Sequence, residues 1–145
     1  MGEIESNKSF RILVADDSRE SMLLVLAFLK ALPCLPQEAA NGAQALEKFQ
    51  SESFDLILMD AEMPEMNGYD AVRAIRALEK ENGKKPVPIL MMTGNVYEED
   101  VEMALEAGCD GHIPKPLRRP AFLETIQRYL DSSASAWKRG FGKPA

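Results

Sequence analysis

The segment DLILMD, residues 55–60, decides the fold class of this chain. Its four consecutive apolar residues stop abruptly at an acidic side chain, Asp60. An unbroken apolar run of this length is typical of a strand buried on both faces, as in a parallel sheet. Working outward, similar runs occur at 12–15, ILVA, and at 87–92, VPILMM. The sequence therefore predicts three buried strands of one sheet.

Two weaker strands and five helices complete the pattern. A short strand is predicted at 111–113, and one at 35–39 contains Pro36, which restricts it to a sheet edge. Apolar residues recur at helical spacing in the intervening segments. These positions are Met22, Leu26 and Leu29; Leu46 and Phe49; Tyr69, Val72, Ile75 and Leu78; Val101, Ala104 and Leu105; and Phe122, Leu123, Ile126, Tyr129 and Leu130. Strands that alternate with helices indicate an α/β fold with a parallel sheet and helices on both faces.

Local signals mark several helix ends. Ser18 is the predicted N-cap of the first helix, and Gly108 is the residue that ends the fourth helix. Pro120 suits the first turn of the last helix. The polar segment 79–85 is predicted to be a surface connection between a helix and a strand.

Composition narrows the functional classes. The 145 residues fit one domain, and 23 Asp and Glu against 17 Lys and Arg give a net charge of −6, which argues against direct nucleic-acid binding. The single histidine, His112, excludes zinc sites that need two histidines and argues against a catalytic triad. Cys34 and Cys109 form no CxxC motif and are interpreted as reduced thiols of a cytoplasmic protein. Neither a signal peptide nor an apolar run of membrane-spanning length is found, so no membrane association is expected.

The domain is predicted to span residues 10–131. Residues 1–9 are polar and are predicted to be a flexible N-terminus. Residues 132–145 are rich in Ser, Ala and Gly and are predicted to be a flexible tail or the start of a linker.

Polar residues end four of the predicted strands: Asp16-Asp17, Asp60, Thr93 and Lys115. The carboxyl ends of parallel strands meet at one edge, where open α/β folds bind ligands. Three carboxylates there repel one another unless a cation is present, and Mg²⁺ suits oxygen ligands. Lys115 adds a positive charge that can contact a phosphoryl group. The set therefore favours transfer of a phosphoryl group onto an aspartate.

Each feature alone has an ordinary structural interpretation. Asp-Asp-Ser at 16–18 can be a turn and a helix cap, Thr93-Gly94 can be a loop, and Lys115 can be a solvated cation. Their coincidence at the ends of four strands of one chain favours a shared site.

The same residues resemble the receiver domain of two-component response regulators. The matching segments are ILVADDS (12–18), DLILMDAEMPEMNGYDAVRAIR (55–76), ILMMTGN (89–95) and EAGCDGHIPKPL (106–117). The resemblance covers about residues 10 to 131. It implies a flavodoxin-like (βα)5 three-layer sandwich whose parallel five-stranded sheet has the order 2-1-3-4-5.

The resemblance also implies a role for each site residue. Asp60 is the implied phosphoacceptor. Lys115 contacts the phosphate, and the hydroxyl of Thr93 moves to hydrogen-bond it. The implied ligands of Mg²⁺ (or Mn²⁺) are Asp16, acting largely through metal-bound water, together with Asp17, Asp60 and the backbone carbonyl of Glu62.

Three further positions match or depart from the family pattern. Pro116 matches a proline that follows a cis peptide bond in the family and helps to aim Lys115. Gly68 matches the loop that follows the phosphorylation site. His112 stands where the family usually has Tyr or Phe, and it is either a switch residue or a half-exposed strand residue without a switching role.

The resemblance implies a phosphoacceptor domain rather than an enzyme, with possible self-phosphorylation and self-dephosphorylation. Its implied partners are a histidine kinase or a histidine phosphotransfer protein, and an output partner that the sequence does not name. The chain is interpreted as a stand-alone receiver or as the receiver of a hybrid sensor kinase. The alternatives are an aspartyl-phosphate phosphatase, a flavodoxin-like redox carrier and a pseudo-receiver that binds partners without phosphorylation. The phosphatase usually carries Asp-x-Asp on the first strand, where this chain has Ser18.

Overall fold

The structure is a computed structural model, which describes residues 9–94 and 98–131. Its elements in chain order are β1 Phe10–Ala15, α1 Arg19–Leu29, β2 Cys34–Ala39, α2 Gly42–Ser51, β3 Leu56–Asp60, α3 Gly68–Glu81, β4 Ile89–Thr93, α4 Glu98–Ala107, β5 Gly111–Pro114 and α5 Arg119–Asp131. Residues 1–8 and 132–145, predicted to be flexible, lie outside the described residues. Within the described ranges, no helix has the length and apolar character needed to cross a lipid bilayer.

The five strands form one parallel sheet with the order β2-β1-β3-β4-β5. The predicted fold class and strand order are therefore confirmed. Strand β2 lies at the edge, where Pro36 is next to Ile12 in register, as its proline required. Strand β3 lies at the centre, and all five of its residues are buried.

Apolar cores cover both faces of the sheet, which explains the unbroken apolar runs. Successive strand residues point to opposite faces. Thus Ile57 packs with α2, α3 and α4, whereas its neighbour Leu58 packs with α1 and α5. The chain is a three-layer sandwich, as predicted.

Side-chain caps fix the starts of three helices. The Ser18 hydroxyl accepts a hydrogen bond from the Ser21 amide at 3.2 Å, so the predicted cap of α1 is confirmed. Asn41 and Asn67 cap α2 and α3 in the same way. Gly108 ends α4 with a φ of 115°, a conformation that favours glycine.

Two sequence predictions at β4 and α4 are wrong. Leu105 was expected on the inner face of α4, but it is 54% exposed, and the buried positions are Ala104 and Ala107. Two small residues one turn apart make the inner face, so Leu105 lies beside it and not on it. Strand β4 starts at Ile89 instead of Val87, because the Val87 amide bonds to a side chain and not to β3.

The prediction of a surface connection at 79–85 is also wrong for its first residues. Helix α3 continues to Glu81, and Glu79 is only 4% exposed. One carboxylate oxygen of Glu79 accepts a hydrogen bond from the Val87 amide at 2.7 Å, and the other is 2.9 Å from Nη1 of Arg76. Both oxygens are therefore paired, which permits the burial of this charge.

Arg76 also connects α3 to the amino ends of β4 and β5. Its Nη2 donates to the Asp110 carboxylate at 2.9 Å, and its Nε donates to the Gly108 carbonyl at 2.9 Å. The Asp110 carboxylate in turn accepts from the Ile89 amide at 2.8 Å. We call Arg76, Glu79 and Asp110 the amino-edge clamp.

Candidate functional site

Three aspartates meet at the carboxyl edge of the sheet. Asp16 and Asp17 follow β1, and Asp60 ends the neighbouring strand β3. Strands β2 and β3 lie on opposite sides of β1, so the direction in which strands are added to the sheet reverses at β1. Open α/β folds bind ligands at such a switch point. One carboxylate oxygen from each aspartate lies within 4.8 Å of the others. Asp16 and Asp60 are buried, whereas Asp17 is exposed.

Lys115, just after β5, supplies a positive charge to this group. Its Nζ is 3.1 Å from Oδ1 of Asp60 and 3.7 Å from Oδ2 of Asp16. We call Asp16, Asp17, Asp60 and Lys115 the carboxyl-edge cluster. The structure therefore brings together four of the predicted site residues, and their side chains carry three negative charges and one positive charge when all are ionised.

Asp16 is held in place by the backbone around it. Its Oδ1 accepts a hydrogen bond from the Ser18 amide at 2.9 Å, and its own amide donates to the Ala39 carbonyl at 3.0 Å. Its Oδ2 is buried and has no hydrogen-bond partner among the described residues. The sequence suggested Ser18 only as a helix cap. Its second role, in orienting Asp16, depends on backbone geometry that the sequence pattern does not reveal.

Burial and charge act together on Asp60. Burial, and next the negative charge of Asp16, raise the pKa of Asp60 from 3.8 to about 6, although Lys115 acts in the opposite direction. Folding thus disfavours the charged form of this carboxylate. A cation between the aspartates would remove this penalty.

The donor set fits a hard divalent cation. Carboxylate oxygens at this spacing suit Mg²⁺, which binds through few protein ligands and keeps positions for water or phosphate oxygens. The same donors suit Mn²⁺. The buried Asp16 oxygen, which has no hydrogen-bond partner within 9–94 and 98–131, is an acceptor that a cation would satisfy.

The loop after Asp60 closes tightly over the strand end. The Gly68 amide donates to the Ala61 carbonyl at 3.0 Å. A Cβ atom at Gly68 would lie 2.3 Å from the Asp60 carbonyl oxygen, so a side chain here would displace the loop or the strand end. The Glu62 amide points to Oδ1 of Asp60 at a long distance of 3.5 Å. The predicted role of Gly68 in this loop thus has a steric reason.

Two other predicted site residues, Thr93 and Pro116, lie at the end of β4 and just after the end of β5. Thr93 is buried at the end of β4, one residue beyond Met92, which pairs with Asp60. The peptide bond between Lys115 and Pro116 is cis, as the resemblance implies.

His112 does not belong to the carboxyl-edge cluster. It lies within β5, opposite Met91, and is half-buried. Its neighbour Ile113 packs in the core beneath α1 and α5, so His112 is on the face covered by α2, α3 and α4. Its role as a switch residue stays a prediction.

The sequence over most of the chain matches a known family. A family model for the response regulator receiver domain matches residues 12–127. The chain belongs to this receiver domain family. Receiver domains are signalling domains of two-component phosphorelays, so the family and functional class predicted from the sequence are confirmed.

Relatives of this receiver domain occur in much longer signalling proteins. Hybrid signal transduction histidine kinase L of Dictyostelium discoideum is 34% identical over 122 residues, which are 82% of this chain and 7% of that protein. Across eight curated relatives, the matched region spans 4% to 19% of their lengths.

Two solved structures show the same fold. The receiver domain of a Pseudomonas aeruginosa sensor histidine kinase, solved with a magnesium ion in its active-site cleft, is 32% identical, with a TM-score of 0.77 over 86% of this chain and 100% of that chain. The second comes from a Saccharomyces cerevisiae co-crystal of the histidine phosphotransfer protein Ypd1 with the receiver domain of Ssk1. It is 26% identical, with a TM-score of 0.83 over 87% of this chain and 92% of that chain.

Proposed function

We propose that Asp60 accepts a phosphoryl group from a phosphohistidine of a partner protein. One observation carries the assignment: Asp60 alone of the three aspartates is both buried beside Asp16 and 3.1 Å from the ammonium group of Lys115. Its carboxylate thus lies where a positive charge can stabilise an incoming phosphoryl oxygen.

The transfer is a substitution at phosphorus. A carboxylate oxygen of Asp60 attacks, a P–O bond forms, and the P–N bond to the partner's imidazole breaks. The imidazole nitrogen keeps the electron pair of that bond. Lys115 contacts a phosphoryl oxygen as charge builds, and the Thr93 hydroxyl donates a hydrogen bond to the phosphorylated product.

Asp16, Asp17, Asp60 and the backbone carbonyl of Glu62 would hold Mg²⁺ (or Mn²⁺). When bound, the cation neutralises charge on the phosphoryl oxygens and on the carboxylates. Asp16, oriented by the Ser18 amide, presents a buried acceptor to which no other described residue donates a hydrogen bond. Asp17 is exposed and leaves the cluster open to solvent. The geometry supports access of a phosphodonor from that side.

The partner in this proposal is a histidine kinase or a histidine phosphotransfer protein in the cytoplasm. Support comes from the similarity to a hybrid histidine kinase and to the co-crystallised receiver domain. Cys34 and Cys109 are free thiols, which agrees with a reducing compartment. The surface that transmits the signal is proposed to be formed by α4, β5 and α5.

Phosphorylation replaces the single negative charge of the Asp60 carboxylate with a phosphoryl group that carries about −1.5 to −2, beside Thr93 and Lys115. We expect Thr93, at the end of β4, to move toward it, and α4, which follows in the chain, to move with it. That movement would change the affinity for an output partner. The phosphorylated aspartate is also proposed to lose its phosphate by reaction with water, which returns the domain to its resting state.

Incubation with Mg²⁺ and acetyl phosphate tests the assignment of Asp60. The wild-type domain is expected to gain the mass of one phosphoryl group, and Asp60→Asn is expected to gain none. Asp55→Asn is the matched control, because Asp55 precedes the same strand at its opposite end and bonds to the Arg11 amide. Equal incorporation by wild type and Asp60→Asn would refute the proposal. Absence of phosphate from all proteins, with a phosphohistidine donor as well, would favour a pseudo-receiver.

A further inference from the structure

The first residue of α2, Gly42, is buried against the loop that follows Asp60. A Cβ atom at Gly42 would lie 2.6 Å from the backbone carbonyl oxygen of Met66 and 3.0 Å from its Cγ. Real Cβ atoms essentially never approach another heavy atom closer than 3.0 Å. A side chain at position 42 therefore requires the helix or the loop to move.

The start of α2 is held by reciprocal hydrogen bonds and cannot easily give way. The side chain of Asn41 accepts from the Gln44 amide at 2.8 Å. The side chain of Gln44 reaches back and accepts from the Ala40 amide at 2.8 Å. This arrangement is similar to a capping box and fixes the first turn. The loop is thus the part that must move.

The loop has little freedom of its own. Its ends are joined by the hydrogen bond between the Gly68 amide and the Ala61 carbonyl. Inside it, the Met66 amide donates to the Pro64 carbonyl at 2.7 Å, across Glu65, whose φ is 69°. A positive φ is uncommon for glutamate. A displacement of the Met66 carbonyl is therefore expected to displace the rest of the loop, including Glu62, and not Met66 alone.

We propose that Gly42 is a positioning residue for the metal site. Because Gly42 has no side chain, the loop at 61–68 can pack directly against α2. This packing positions the Glu62 carbonyl beside Asp60. The three atoms nearest a Cβ at position 42 all belong to Met66, so Gly42 acts through that residue. The inference rests on the proposed binding of Mg²⁺ and adds a residue to it that the carboxylate pattern does not contain.

The test is the Mg²⁺ affinity of Gly42→Ala, measured by isothermal titration calorimetry. We expect the dissociation constant to rise about tenfold, as is common when a residue that supports a ligand is changed. The matched control is Gly111→Ala, whose Cβ would lie 2.6 Å from the hydroxyl of Tyr129 on α5. The distance is the same, but the atom met is the far end of a side chain and lies away from the loop, so the control adds the same methyl group and is expected to bind Mg²⁺ like the wild type.

A second measurement needs no metal. In Mg²⁺-free protein, Gly42→Ala is expected to shift the amide resonances of 61–68, and Gly111→Ala is expected to leave them in place. If Gly42→Ala does not fold, the double variant Gly42→Ala/Glu65→Gly replaces it, because glycine tolerates positive φ and frees the loop. Because the freed loop absorbs the displacement, the double variant is expected to shift the amide resonance of Met66 relative to Glu65→Gly and to bind Mg²⁺ as Glu65→Gly does.

The outcomes separate this inference from the proposed function. Wild-type and Gly42→Ala proteins that bind Mg²⁺ equally, or a double variant that leaves the Met66 resonance of Glu65→Gly unmoved, would overturn the role of Gly42 and leave the metal site standing. A wild type without Mg²⁺ binding would overturn both. Weaker binding by Gly42→Ala with unmoved loop resonances would overturn the route through Met66.

Discussion

Two groups of acids, each with buried and exposed members, lie at opposite edges of one sheet and differ in how their charges are satisfied. In the amino-edge clamp, three nitrogens of Arg76 are bound, and each of the two carboxylates also accepts a backbone amide. Charge and hydrogen bonding are both satisfied there, which is the condition under which buried ions support a fold.

The carboxyl-edge cluster is built in the opposite way. Lys115 contacts Asp16 and Asp60, an oxygen of Asp16 is buried without a hydrogen-bond partner in the described part of the chain, and the pKa of Asp60 is raised to about 6. The comparison teaches that residue type does not separate structural from functional acids in this domain. The functional acids differ from the structural ones because their negative charge is not fully compensated by nearby positive charge. Four substitutions can test this difference.

Arg76→Met is expected to have the largest effect. It leaves Glu79 buried without its cation, and breaking a buried ion pair this way costs about 3 to 5 kcal/mol of unfolding free energy. Urea denaturation measures it. The control is Arg73→Met, since Arg73 and Asp70 form an exposed pair at 3.0 Å and its loss is expected to cost less than about 0.5 kcal/mol. Similar losses in both variants would remove the distinction between clamp and surface pair.

Asp60→Asn is expected to stabilise the Mg²⁺-free protein near neutral pH by roughly 1 to 3 kcal/mol. The pKa of Asp60 is higher in the folded state, about 6, than its ordinary 3.8, so the folded protein binds more protons between these values. The Asp60 contribution to stability therefore rises as pH falls. The gain from the substitution should shrink below pH 6 and vanish below 3.8. Urea unfolding with a chelator across this range measures it, and a gain independent of pH would contradict the cause given.

Mg²⁺ is expected to stabilise the wild type by about 1.4 kcal/mol at about ten times its dissociation constant. Asp17→Asn should lose most of this gain. Because Asp17 is exposed, the same variant is expected to differ from wild type by less than about 0.5 kcal/mol without metal. Thermal melts with and without Mg²⁺ make the comparison. An undiminished Mg²⁺ effect would exclude Asp17 as a ligand.

Asp110→Asn is expected to have the smallest effect, about 0.5 to 1 kcal/mol. The side chain of Asp110 is 44% exposed, and the amide oxygen of asparagine can still accept from Ile89. Urea denaturation beside Asp110→Ala, which removes the acceptor as well, measures the difference. A cost as large as that of Arg76→Met would show that the exposed half of the clamp matters as much as the buried half.

Much of the fold could be predicted because its strands are buried on both faces. The unbroken apolar runs at 12–15 and 56–59 can be read directly, and Pro36 marked the edge strand. The carboxyl-edge cluster followed from topology, since strand ends of a parallel sheet share an edge.

The errors arose where tertiary contacts override local pattern. Glu79 looks like a surface residue until Arg76 and the Val87 amide are placed beside it. The apolar side chain of Leu105 suggests a core position, but the buried face of α4 is formed by Ala104 and Ala107. The close approach of Gly42 to Met66 could not be predicted, because this contact joins segments that the sequence does not relate.

The complete burial of β3 also has a consequence for local opening of the domain and amide hydrogen exchange. A central strand without solvent-exposed residues exchanges its amide hydrogens chiefly through opening of the whole domain. Asp60 is anchored to that strand, whereas α4 is an outer element with Leu105 exposed. Asp60 is therefore expected to belong to the slowest-exchanging part of the domain, whereas the outer helix α4 can move in response to it without displacing it.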